Sequence, residues 1–360
     1  MLQTHVFSHT LQFTFPAGTS RGVMTTRPTH FMVLQQENKR GIGECAPLAG
    51  LSEDDMTNLS SMIELVLQRV AKRPLPRSAR EVFQLVREVV PANLPAVRFG
   101  LETALLDLLH GGRRLVFPSV MQPQFTPLPI NGLVWMGDPD FMQRQVDEKL
   151  AQGFRCIKLK IGAISFADEL RLLTGIRKRY SSEAVTLRVD ANGAFAAAGA
   201  MKKLKQLAKL DIHSIEQPIA PGQTEAMATL CRKSPVPIAL DEELIGKHTR
   251  EEREQLLDDT QPQYIILKPT LLGGLAAADD WVQLAEDRGI GWWVTSALES
   301  NVGLNAIAQW VATYEPTLPQ GLGTGQLYHN NIESPIYIDK GHLHYDPSGL
   351  WDESLFNQAP

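Results

Sequence analysis

Cysteine is scarce in this chain: only three of its 360 residues are Cys, at positions 45, 156 and 231, and no CxxC pair occurs. An odd number of widely spaced thiols excludes a disulfide framework and suits reduced, mostly buried cysteines in a cytoplasmic protein. No run of apolar residues is long enough for a membrane span. The opening MLQTHVFSHT lacks the basic-then-apolar order of a signal peptide, so the sequon Asn58-Leu59-Ser60 is expected to carry no glycan. Charge of one sign is not in excess either. A formal net charge of −5 gives no general attraction for nucleic acid or an anionic membrane, so an anionic substrate must be drawn by local cations. What is present is the composition of a globular enzyme, 43% hydrophobic and 21% charged, in a chain long enough for one large domain and a smaller one.

Residues 1–126 carry strands first and helices after, which predicts an α+β domain. The expected strands are Thr4–Phe15, Thr29–Gln35 and Gly41–Glu44. The expected helices are Glu53–Ala71, Ala79–Val90 and Pro95–Leu109, with Ser52 and Ser78 as N-caps for the first two. Pro118–Pro129 holds four prolines and reads as a linker. At the other end, 325–360 contains two strand-like stretches, Pro335–Ile338 and His342–Tyr345, and is expected to return to the N-terminal domain and complete it. His342 and His344 alternate on that strand and read as structural.

Between these, strand and helix alternate over 127–324. Polar residues sit on eight candidate strand ends: Asn131, Lys160, Asp190, Glu216, Asp241, Lys268, Ser296 and Thr324. They lie roughly 25 to 30 residues apart, about one βα unit, and eight units close a (β/α)₈ barrel whose active site lies at the C-terminal strand ends. Asp190, Glu216 and Asp241 fall on three consecutive strands with no histidine among them, so oxygen-only ligation of a hard cation is expected there. A single carboxylate so placed would equally cap the next helix, but three anions converging on one pocket need a cation to offset their repulsion. Lys158 and Lys160 share one face of their strand, and because Ile157, Leu159 and Ile161 suit the outer face, both lysines point inward. Burial and mutual repulsion should then lower one lysine toward the range of a general base, with Lys268 facing the pair across the mouth.

Lys158-x-Lys160, Asp190-Ala191-Asn192, Glu216-Gln217-Pro218, Asp241-Glu242 and Lys268-Pro269, in this order, resemble the enolase superfamily, in particular its muconate-lactonizing subgroup. The resemblance covers the whole chain. It implies a (β/α)₈ barrel with an α+β capping domain built from the N-terminal region and the C-terminal tail. It further implies Mg²⁺, with Mn²⁺ as a substitute, at Asp190, Glu216 and Asp241. Lys160 is implied as acid/base on one face of a small carboxylate substrate and Lys268 on the other.

Within that family, Ser296-Ala297-Leu298-Glu299-Ser300 with Gly303-Leu304 looks like the corresponding stretch of the o-succinylbenzoate synthases, which dehydrate a cyclohexadiene carboxylate. Ser296, Ser300 and helix-start amides would receive a second substrate carboxylate, unless Ser300 only caps its helix. Gly321-Leu322-Gly323-Thr324-Gly325 would present amides to the same group, or make a tight turn. No acidic residue lies between Gly321 and Gln326 to hold a substrate amine, which a dipeptide epimerase would want; that enzyme and an N-acylamino acid racemase are the alternatives. Expected substrate contacts are thus Lys158, Asn131, Arg188, Ser296, Ser300, Gly323 and Thr324, with Arg188 also offsetting the carboxylates. Gly41–Leu48 resembles a capping-domain segment, and Gly18–Pro28 a mobile loop whose Arg21 and Arg27 either attract an anion or keep the loop soluble. No interface stripe is legible, and oligomeric state is left open.

Overall fold

A computed structural model of the chain describes residues 2–19, 22–122 and 124–357. Its N-terminal sheet has three antiparallel strands in the order β1 (Gln3–Thr19), β2 (Gly22–Gln36) and β3 (Lys39–Cys45). The first two make a long hairpin that runs in register from Gln3↔Gln35 to Gln12↔Thr26, then shifts and continues from Ala17↔Met24 to Thr19↔Gly22. The stretch 18–28, expected as a loop, is therefore the far end of this hairpin: Val23-Met24-Thr25-Thr26 is rich in strand formers and extends the pairing. Arg21 lies outside the described residues.

Helices Leu59–Val70, Ala79–Val89 and Pro95–Leu109 pack on the sheet. Pro95–Leu109 is nearly all buried and lies directly on β3. Glycine makes that approach possible: a Cβ at Gly41 would sit 2.2 Å from the Ala104 carbonyl oxygen, and one at Gly43 1.9 Å from that of Gly100. Ser78 caps its helix as expected, accepting from the Glu81 amide at 3.3 Å. Ser52 does not cap one. Its hydroxyl accepts from the Leu48 amide at 2.7 Å in a turn, and the helix expected from Glu53 starts at Leu59.

The second body is a parallel sheet of seven strands in sequence order: β5 (Gly132–Val134), β6 (Cys156–Lys160), β7 (Thr186–Asp190), β8 (Ile212–Glu216), β9 (Ile238–Leu240), β10 (Tyr264–Leu267) and β11 (Gly291–Val294). It is preceded by a two-residue strand, β4 (Leu128–Pro129), and followed by a tail hairpin, β12 (Ile336–Asp339) and β13 (His342–Tyr345). Two expected strand positions move. Leu128 and Pro129 pair antiparallel with β13, so parallel pairing with β6 starts only at Gly132. The eighth barrel position is held by Gln320 and Gly321, bridged to Ile130 on one side and Thr295 on the other, while Gly323–Gln326 is a 3₁₀ turn. The Gln320 side chain does part of a strand's work there, accepting from the Val294 amide at 2.7 Å and donating to the Leu318 carbonyl at 2.6 Å.

Outward-facing Ile157 and Leu159 are fully buried under the surrounding helices, and Ala239, Ile266 and Trp293 form a separate cluster of their own. The tail reaches the N-terminal sheet: the Thr14 amide donates to Leu327, the His329 amide to Gln12, and Phe356 packs edge-on against Phe31. Among the described residues no helix is long and apolar enough to cross a membrane.

Candidate active site

β6 places Lys158 and Lys160 on its inner face, and the parallel register sets Lys160 beside Asp190 and Asp190 beside Glu216. Asp241 follows β9, so three carboxylates meet; each offers an oxygen within 4.8 Å of the others. They are almost wholly out of solvent, which would be prohibitive without nearby cations. Lys158 Nζ donates to Glu216 Oε2 at 2.8 Å and to Asp190 Oδ2 at 3.3 Å. Lys160 Nζ donates to Asp190 Oδ2 at 2.7 Å and to Asn192 Oδ1 at 2.9 Å, and Lys268 donates to Asp241.

The surroundings separate these groups electrostatically. Burial disfavours charge on Lys158, but Glu216 and Asp190 overcome it and raise its pKa; Asp241 and Glu242 do the same for Lys268. For Lys160 burial prevails over the pull of Asp190, helped by the neighbouring Lys158 and Lys268, and its pKa falls. Burial pushes Glu216 up to about 7 and also raises Asp241. Burial is overridden at Asp190, where Lys160, Lys158 and Lys268 hold the carboxyl below its ordinary range. Glu216 Oε1 is buried without a hydrogen-bond partner. Converging hard oxygen donors with one such free atom fit a hard divalent cation.

Two side-chain amides, Asn192 and Gln217, stand beside the trio, each paired with a further carboxylate. Asn192 and Gln217 both have left-handed backbones, with φ of 43° and 37°. The Asn192 side chain accepts from Lys160 and donates to Glu242 Oε1 at 2.9 Å; that of Gln217 donates to Glu243 Oε2 at 3.0 Å. All four residues stand inside or directly after the motifs that carry the three carboxylates. Their adjacency to those carboxylates was the only available signal.

Above the trio a pocket is lined by Asn131, Leu133, Trp135, Lys158, Lys160, Lys268, Thr295–Leu298, Gly321, Gly323 and Thr324, with Met24 and Leu48 contributed by the capping domain. The side-chain oxygens of Asn131, Thr295 and Thr324 are buried there without protein partners. Ser296 also reaches the pocket, but its hydroxyl donates to Glu299 Oε2 at 2.6 Å and accepts from the Leu298 amide at 2.9 Å. None of the described lining residues is acidic.

Two expected contacts are not in the lining. Ser300 caps the helix Asn301–Ala312, accepting from the Val302 amide. The anion at that helix start is supplied by the protein itself. Glu44 of β3 accepts from the Ser300 amide at 2.9 Å, the Gly303 amide at 2.8 Å and the Thr29 hydroxyl at 2.8 Å, besides the Ser300 hydroxyl. Arg188 shares the inner face with Asp190 but makes no hydrogen bond to the carboxylates. Its guanidinium lies 3.8 Å from the Trp293 ring centroid and donates to the Pro319 carbonyl at 2.7 Å. Arg27 is buried too, donating to the Ala46 and Ala297 carbonyls; it ties the capping domain to the barrel loop after β11 instead of facing solvent.

Comparison with known proteins agrees with this architecture. Residues 141–350 match the family model described as Enolase C-terminal domain-like. The chain is 49% identical over 354 residues to the o-succinylbenzoate synthase of Desulfotalea psychrophila, covering 92% of this chain and 96% of that protein. It is 31% identical over 302 residues to the N-succinylamino acid racemase of Thermus thermophilus, covering 81% of this chain and 77% of that one. The crystal structure of MenC from Desulfotalea psychrophila LSv54 superposes with a TM-score of 0.85 at 44% identity, over 95% of this chain and 99% of that one. Muconate lactonizing enzyme from Pseudomonas fluorescens, complexed with muconolactone, gives a TM-score of 0.83 at 24% identity over 98% and 97% of the two chains, a likeness of fold. The chain belongs to the enolase superfamily.

Proposed function

We propose that the chain is an o-succinylbenzoate synthase, a lyase that removes water from 2-succinyl-6-hydroxy-2,4-cyclohexadiene-1-carboxylate in menaquinone biosynthesis. The observation that carries this is the near-full-length match, at 49% identity, to a protein of that activity. The pocket supports it: its described lining offers lysines and hydroxyls and no acidic side chain, which suits a dianionic substrate without an amine.

Asp190, Glu216 and Asp241 would hold Mg²⁺, or Mn²⁺ in its place. Bound there, the cation supplies positive charge where negative charge develops on the substrate carboxylate, commonly the largest single contribution to such a rate. Lys160 is the base. Its lowered pKa leaves a larger neutral fraction near pH 7, and its Nζ takes the proton α to the ring carboxylate. The C–O bond to the ring hydroxyl then breaks on the same face, and Lys160 returns that proton to the departing oxygen, so water leaves and the ring becomes aromatic. Lys268, with its raised pKa, stays protonated and faces the ring as a cation–π partner. Asn131, Thr295 and Thr324, with the amides near Gly323, are left to receive the succinyl end. Three buried free thiols accord with a cytoplasmic setting.

Loss of the diene absorbance tests this directly, using enzymatically generated substrate with Mg²⁺ and with chelator. Rapid, Mg²⁺-dependent loss is expected. No loss from folded, metal-loaded protein would overturn the dehydratase and turn attention to racemisation, for which Lys160 and Lys268 line the same pocket. Lys268→Arg separates the two: dehydration should retain measurable turnover, whereas a two-base racemase should lose nearly all of it.

A further inference from the structure

Gln217 directly follows Glu216, yet its side chain grips the chain at Asp241. It is fully buried, with a left-handed φ of 37° that a non-glycine residue adopts only when its surroundings hold it there. Its Oε1 accepts from the backbone N–H groups of Asp241 and Glu243, both at 3.2 Å. Its Nε2 donates to the Ile219 carbonyl and to Glu243 Oε2, both at 3.0 Å. The other oxygen of Glu243 accepts from the Gly222 amide at 2.9 Å. The Gln217 main chain continues the tie, donating to the Ala239 carbonyl at 2.9 Å and accepting from the Gly193 amide at 2.7 Å, three residues beyond Asp190. One residue thus links the ends of β7, β8 and β9 just outside the carboxylate trio.

We propose that Gln217 and Glu243 are a pair of positioning residues that fix the backbones of Glu216 and Asp241, and so set the spacing of the carboxylates that receive a divalent cation. This rests on the reading of Asp190, Glu216 and Asp241 as the cation's ligands. Three buried carboxylates repel one another and would splay apart unless the strand ends that carry them are held. The clamp is directional. Oε1 of Gln217 faces two N–H donors, so its Nε2 must meet acceptors, and Glu243 supplies one at the point where a neutral amide would present either a donor to Nε2 or a donor to Gly222. Gln217→Glu sets a carboxylate against Glu243 and the Ile219 carbonyl. Glu243→Gln breaks the complement from the other side. The exchange Gln217→Glu with Glu243→Gln rebuilds the bond between the side chains and leaves only the Ile219 carbonyl facing an oxygen.

The test is Mg²⁺ affinity of metal-free protein by titration calorimetry, well below the unfolding temperature, which needs no substrate. Each single variant should bind on the order of 10- to 100-fold more weakly than the unsubstituted protein, the range typical of groups that orient metal ligands. The exchange variant should recover most of that loss, which general loosening of the core would not produce. Affinities of both single variants within threefold of the unsubstituted protein would overturn the proposal. Failure of the unsubstituted protein itself to bind Mg²⁺ would instead remove the metal reading beneath it. Single variants that do not fold beside an exchange variant that folds and binds would support the pairing; an exchange variant that also fails to fold would assign the pair to the core and overturn it.

Discussion

Glu44 on β3 and Ser300 at the head of the helix Asn301–Ala312 are joined twice, the Ser300 amide to one carboxylate oxygen and its hydroxyl to the other. With Thr29 and Gly303 also donating, Glu44 accepts four hydrogen bonds while fully buried. Burial raises its pKa, the hydrogen bonds from Ser300 oppose this, and neighbouring Glu299 adds to the rise. Glu44→Gln must turn an NH₂ group toward one of these donors. The expected loss is about 1 to 3 kcal/mol of stability, the cost of a buried donor without an acceptor. Urea denaturation would read it, and an unchanged midpoint would show that the contact contributes nothing.

Because Glu44 occupies that helix start, Ser300 and Thr324 should respond oppositely to removal of a hydroxyl. Ser300→Ala deletes a helix cap and a bond to Glu44, so it should lower stability by about 1 to 2 kcal/mol and leave KM within about twofold. Thr324 Oγ1 lines the pocket and has no protein partner. Thr324→Val should leave the melting temperature unchanged and raise KM about tenfold, equivalent to one lost hydrogen bond to substrate. Steady-state kinetics beside thermal melts would show whether these two effects separate.

Lys160→Ala should lower kcat by about a hundredfold to ten-thousandfold, the usual contribution of a positioned base. Mg²⁺ should bind the variant at least as tightly, since the lysine ammonium that donates to Asp190 competes with the cation for that oxygen. Turnover within tenfold of the unsubstituted enzyme would remove Lys160 from the role of base.

The convergence of the three carboxylates with the lysines was legible because each lies at or near the end of a short strand with its charge inward, a pattern that residue type and spacing alone can carry. What escaped depended on distant or unusual partners. The anion at Ser300 comes from Glu44, 256 positions earlier, so no local spacing could reveal it. Arg188 lies on the same strand face as Asp190, but only the fold shows Trp293 and Pro319 waiting for it. The eighth strand was placed too late because the Gln320 side chain substitutes for strand pairing, and glutamine at a strand end carries no such signal. Asn192 and Gln217 stand in the motifs with no role that residue type alone could assign, because only the fold shows their left-handed backbones aiming the side-chain amides at Glu242 and Glu243, just after β9.

Asp54 predicts a pH dependence away from the pocket. Its Oδ2 accepts from the Ala96 amide at 2.7 Å and the Val97 amide at 3.2 Å, at the head of the helix Pro95–Leu109 that packs on β3. Its Oδ1 is buried without a partner. Burial dominates and lifts the carboxyl from 3.8 to about 6. Between those two values the folded protein holds a proton that the unfolded chain has released, so this group's contribution to stability falls as pH rises from about 4 to about 6 and then levels off. A shift of about two units corresponds to about 3 kcal/mol at most. Asp54→Asn keeps a carbonyl acceptor for the helix amides and cannot ionise. The stability of the variant relative to the unsubstituted protein should therefore increase by about 2 to 3 kcal/mol between pH 4 and pH 7. Urea midpoints of both proteins across that range would decide it: a constant difference would mean that Asp54 titrates as it does in water, and that the helix amides offset its burial completely.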